Sequence, residues 1–88
     1  MSYVCDPKKN FVDGKAYTQT HLGNGIPQHD AIQKCEKVAQ GNDFFVQQHP
    51  GPVGYTICAV LKEPLSANDK ISAHGHTYGS VCYKPPTQ

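Results

Sequence analysis

Arginine and tryptophan are both missing from this 88-residue chain, and phenylalanine occurs only three times. Without arginine there is no guanidinium fork to grip a phosphate or a guanine edge at two points. The eight lysines are scattered against seven acids, for a net charge of +1, so no basic footprint for nucleic acid forms. No apolar run approaches the ~20 residues of a membrane-spanning helix. A signal-peptide core, an N-x-[ST] sequon and a G-x-S-x-G elbow are absent too. No two cysteines stand as C-x-x-C, the spacing of zinc ribbons and thioredoxin-like sites. These gaps argue against nucleic-acid binding, membrane insertion, hydrolysis by a serine nucleophile and a ribbon-type zinc site.

Apolar residues are also scarce, at 38 % against about 45–50 % in ordinary domains. A chain this short buries only about two-thirds of its unfolded surface, so a thin core needs covalent support. The four cysteines, Cys5, Cys35, Cys58 and Cys82, are even in number and widely spaced. That pattern favours two disulfides and an oxidising compartment. A bonded cysteine has no thiolate, which removes Cys–His catalysis. No grouping of acids suggests acid/base work, so the expectation is a protein that is not an enzyme and needs no cofactor. A disulfide protein lacking a signal reads as a mature fragment or as one module of a longer secreted chain. Residues 1–88 then form one domain with its core at about 3–84, Met1-Ser2 as an added start and "PPTQ" as a linker stub.

Along the chain, "YVC" (3–5) reads as a terminal strand and "DPKKN" (6–10) as a turn. "KAYTQTHL" (15–22) alternates Ala16, Thr18, Thr20 and Leu22 against Tyr17, Gln19 and His21, the period of a strand. "GNGIP" breaks it. Asp30 with Gln33 forms a capping-box pattern that opens a helix. Its inner face is Ile32, Cys35, Val38 and Ala39, and Gly41 is the stop. "DFFVQQ" (43–48) and "YTICAVLK" (55–62) are strands joined by the turn "HPGPVG". The second, apolar on both faces, is central. The connection 63–79 holds a short strand around Lys70–Ser72, and "SVCYK" (80–84) is the last strand.

Four cysteines allow three pairings, and spacing alone does not choose among them. Period narrows the choice. Thr56, Cys58 and Val60 share one face of the central strand. A helix lying on that face brings Cys35 to Cys58, which leaves Cys5 and Cys82 to join the first and last strands.

The order of these pieces resembles the PAN/apple domain family. The matching segments are Cys5, "DAIQKC", "DFFV", "CAVLK" and "YGSVC", spread over nearly the whole chain. The third bridge of blood-protease apple domains would fall at Ala39 and Asn42, so the chain resembles the two-disulfide PAN core. It is similar to the tandem modules of apicomplexan microneme adhesins. The resemblance implies an α+β fold, a curved antiparallel sheet cradling a single helix, with the first and last strands side by side. It also implies a non-catalytic extracellular role in adhesion or recognition, binding a host or cell-surface protein or a glycan beside neighbouring PAN modules. A module of a secreted protease and a free-standing secreted inhibitor or effector are the alternatives.

The ligand-binding candidates lie mostly in the 63–79 connection. Asp69, Lys70 and His76 offer polar contacts, Tyr78 offers an aromatic face for a sugar ring, and Tyr17 is placed beside them. "HGH" (His74, Gly75, His76) would hold a metal only with a third ligand such as Asp69 or His49, and a solvated loop is the preferred reading. The helix's outer face (Gln33, Lys34, Glu36, Lys37, Gln40) reads as solvated surface. "PKK" (Pro7, Lys8, Lys9) offers at most a weak, salt-sensitive attraction to sulfated glycans.

Overall fold

A computed structural model describes residues 3–50, 54–75 and 77–85. It is an α+β domain with two packed sheets and, among the described residues, one helix. The strands are β1 (Val4–Asp6), β2 (Phe11–Val12), β3 (Tyr17–Asn24), β4 (Phe44–Gln48), β5 (Tyr55–Leu61), β6 (Ile71–Ser72) and β7 (Tyr78–Tyr83). The helix α1 spans Gln28–Ala39. Five strands form an antiparallel sheet in the order β1-β7-β4-β5-β3, and β2 pairs with β6 as a separate ribbon.

The short apolar supply is spread over both faces of the large sheet. On one face Phe44, Val46, Cys58 and Cys82 pack against Ala31, Cys35 and Ala39 of α1. On the other, Phe45, Ala59, Leu61 and Val81 pack against Val12 of the ribbon, with Phe11 and Ile71 at the margin. The apolar positions of "YTICAVLK" are therefore buried alternately beneath helix and ribbon, as a two-sided strand requires. The ribbon is the element that the sequence reading lacks on its first side. "FV" at 11–12 is too short to show a period, while the short strand expected near 70–72 is its other half.

The helix departs from expectation at its start. It begins at Gln28 behind an extended Pro27, and no side chain caps it. Asp30 lies in the first turn rather than at the cap, and the Gln33 amide meets the His29 ring instead (3.2 Å). Gln28 earns its helical place by reaching β7, donating to the Gly79 carbonyl and the Ser80 hydroxyl (3.0 and 3.1 Å). The buried stripe is Ala31, Cys35 and Ala39, small residues one turn apart that let the helix approach the sheet. Ile32 and Val38 flank that stripe. Ile32 packs at its margin, but Val38 is 42 % exposed, which corrects its placement on the inner face. The left-handed turn expected at Gly41 (φ 93°) is shared with Gln40 (φ 49°).

Both expected bridges are present. Cys5 and Cys82 face each other directly across β1 and β7, and Cys35 ties the middle of α1 to Cys58 of β5. The first and last strands are neighbours. A chain-entropy treatment of loops spanning 77 and 23 residues gives about 4.5 and about 3.4 kcal/mol, comparable together to the whole stability of a small domain. Reduction is thus expected to abolish the cooperative thermal transition and the dispersed amide spectrum. Native spectra retained in reductant would contradict this.

Candidate functional site

Outside β6, the long connection between β5 and β7 is held by side chains rather than by regular structure. The Asp43 carboxylate, at the end of the α1–β4 turn, accepts from the Leu65 and Lys84 main-chain N–H groups (both 2.9 Å). It thereby fixes both the start of the connection and the chain beyond β7. Asp69 closes the 66–69 turn by accepting from the Ser66 N–H (2.8 Å) and hydroxyl (3.1 Å), and it pairs with the Lys15 ammonium at 2.8 Å. The Lys15 hydrogen bond, followed by that from the Ser66 N–H, holds the Asp69 carboxyl below its ordinary value. The same bond to Asp69 raises Lys15.

Asn10 performs the corresponding task for the chain at His74 and Thr77. It is almost wholly buried (3 % exposed). Its Oδ1 accepts from the His74 N–H (2.9 Å), and its Nδ2 donates to the Thr77 carbonyl and hydroxyl. The ring of His74 lies 4.6 Å from that of Phe11. Gly79, two residues beyond Thr77, touches Asn10 and the Val46 carbonyl so closely that a Cβ there would overlap the carbonyl oxygen. The bare α-carbon is what lets β7 close on β4 while Asn10 sits over it.

The sequence candidates are placed as follows. Asp69 lines a cleft of about 740 Å³ between the turn after α1, the Pro64–Asp69 segment and the end of β7, with Leu65 and Ile71 as apolar wall. Lys70 follows it and accepts from the Asp13 N–H through its main-chain carbonyl (2.9 Å). Tyr78 is 64 % exposed and borders two smaller depressions, one with Ile26, Gln48 and His49, the other with Lys8, Gln28 and His74. Tyr17 packs edge-on against Phe45 (5.1 Å). Tyr78 stands opposite Gln48, itself opposite Thr56, on the helix side. Tyr17 stands opposite Leu61 on the ribbon side. The two tyrosines therefore lie on opposite faces of the sheet. His76 lies outside the described residues. Among the described residues no three of His, Cys, Asp and Glu gather as metal ligands.

Two features were not legible in the sequence. The polar anchors Asn10 and Asp43 act across 64–67 and 22–41 residues of chain, a separation that leaves no local signal. The second is a stack of three rings, His21–Tyr55–His49, with centroid spacings of 5.0 and 4.4 Å. It forms at the end of the sheet away from the ribbon: His49, just past β4, meets Tyr55 where β4 pairs with β5, and the register of β3 on β5 adds His21.

Searches of protein-family models, curated proteins and solved structures found no match to this chain.

Replacing Asn10 by Ala strands the His74 N–H and the Thr77 carbonyl and is expected to cost about 2–3 kcal/mol in chemical denaturation. Fast amide exchange should spread over residues 73–77. The Asp69–Lys15 tie sets a pH window. Its contribution is complete above the ordinary Asp titration near ~4 and is lost as pH falls through the lowered Asp69 value. At the other end it is complete below the ordinary Lys value near ~10.4 and is lost as pH rises through the raised Lys15 value. A carboxyl-detected NMR titration should give Asp69 a midpoint that climbs when Lys15 is replaced by Met.

Proposed function

We propose that the chain is a non-catalytic recognition module of PAN/apple type, one of several in a secreted adhesin of microneme kind, that binds a cell-surface protein or glycan. The single observation that carries this reading is Tyr78. It is a largely exposed aromatic on a strand stapled by Cys82, next to chain anchored by Asn10 at His74 and Thr77. Large amphipathic rings on rigid supports bind at low entropic cost and dominate recognition surfaces. Lys8, Gln28 and His74 in the adjoining depression add polar partners.

Supporting observations are the ordered segments Cys5, "DAIQKC", "DFFV", "CAVLK" and "YGSVC", and the antiparallel sheet with one helix and two disulfides. The bridges fit an oxidising, extracellular setting, and among the described residues no helix is long and apolar enough to cross a membrane. β1 lies beside β7, so flanking modules would attach at one edge. Weak single sites would then gain strength by effective concentration.

An amide NMR titration of the oxidised protein with monosaccharides and heparin fragments tests the reading. Shifts around Tyr78 and within residues 63–79 are expected, and Tyr78→Ala should weaken binding about tenfold, or ~1.4 kcal/mol. A dispersed spectrum without shifts would exclude these sugars and leave a protein partner. Full cell binding by the Tyr78→Ala protein would remove Tyr78 from the site.

A further inference from the structure

The two edges of the large sheet differ. β1 at one edge has three residues, the usual way to blunt an edge. β3 at the other has eight, and among the described residues no strand lies along its outer side. From Tyr17 to Asn24 it contains no Lys, Asp, Glu or Pro, the residues that normally block edge pairing. Thr18, Gln19 and His21 are exposed.

The phase of its main-chain groups can be read from one bond. The Lys62 N–H donates to the Ala16 carbonyl (3.1 Å) while Tyr17 stands opposite Leu61. In an antiparallel ladder this directs the groups of residues 16, 18 and 20 inward to β5, and those of 17, 19 and 21 outward. The register shift between His21 and Gly23 ends the regular stretch. Tyr17, Gln19 and His21 thus offer an uninterrupted row of N–H and C=O groups at the free edge.

We propose that this edge pairs with the same edge of a second copy of the chain, antiparallel about Gln19. Tyr17 then faces His21 of the second copy, and Gln19 faces its own counterpart, each pair exchanging both main-chain bonds. Thr18 faces Thr20 across the other side, a favourable cross-strand pair. No like charges meet. The aromatic groups match as well. Tyr17 belongs to the Phe11–Phe45 cluster, and His21 begins the Tyr55–His49 stack, so the twofold axis sets the one against the other on both sides. This self-complementary register favours a second copy over an unrelated strand.

The contact is small, so association at about 0.1–1 mM is expected. Sedimentation of the oxidised protein from about 10 µM to about 1 mM should show the mass moving from one chain towards two. The amides of Tyr17, Gln19 and His21 should slow their exchange as concentration rises, while Thr18 and Thr20 stay slow throughout. Gln19→Pro removes an outward donor that the fold does not use, a position edge strands tolerate. Gln19→Lys keeps that donor and opposes two ammonium groups at the axis. Both are expected to remain monomeric, with dispersed spectra, across the range. A monomeric parent at 1 mM overturns the proposal, as does a dimer that survives both substitutions. Slowing of the odd-numbered amides by an added extended peptide, with no self-association, would show that the edge takes a different strand and overturns it equally.

Discussion

The Cys35–Cys58 bridge joins the middle of a 12-residue helix to the middle of an inner strand, and the helix-side core is arranged around it. A helix of this length is marginal in water and needs a surface to dock on. The stripe it presents is Ala, Cys and Ala, which buries little area by itself. The sulfur link supplies the attachment that larger side chains would supply elsewhere. Because the stripe is small, the helix lies close to the sheet. Phe44 and Val46 of β4 then fill the space beside the bridge. The ribbon on the opposite face has no covalent tie and is held by Val12, Phe45 and Leu61 together with the Asn10 hydrogen bonds.

Loop order in this protein comes from a few buried or paired polar side chains. Asp43 reaches two distant main-chain N–H groups, Asn10 satisfies both ends of a tight turn, and Asp69 combines a turn with an ion pair. Among the described residues no buried side-chain nitrogen or oxygen lacks a partner. That completeness matters in a domain with so little apolar area, where one unsatisfied group would consume a large share of the net stability.

Elements with a clear period were legible in the sequence. The alternation in "TQTHL" marked β3, the doubly apolar "YTICAVL" marked an inner strand, and the shared face of Thr56, Cys58 and Val60 pointed to the bridge. Asp30 and Gln33 match a local capping pattern that starts the helix too late, whereas Gln28 is drawn into the helix by Gly79 and Ser80 of β7. Helical spacing puts Val38 inside because it does not reveal how narrow the buried stripe is. The β2–β6 ribbon has too few residues for any periodicity. At the candidate site the same division holds. Residue type marks Tyr78 and Asp69, but the separation of Tyr78 from Tyr17 depends on strand parity across four strands, which only the register reveals.

The position of Cys5 opposite Cys82 has a mechanical side. A pull applied at residues 3 and 84 would enter through β1 and β7 and meet a covalent bond almost at once. The tension would run from strand to strand through the sulfurs and leave the segment between them unloaded. With the bond intact, the domain could extend only by the few residues outside it. With that bond opened and Cys35–Cys58 still closed, on the order of 180 Å of chain would be free to pay out. The edge bridge therefore makes the module a nearly inextensible link under tension, its compliance set by the redox state of two atoms.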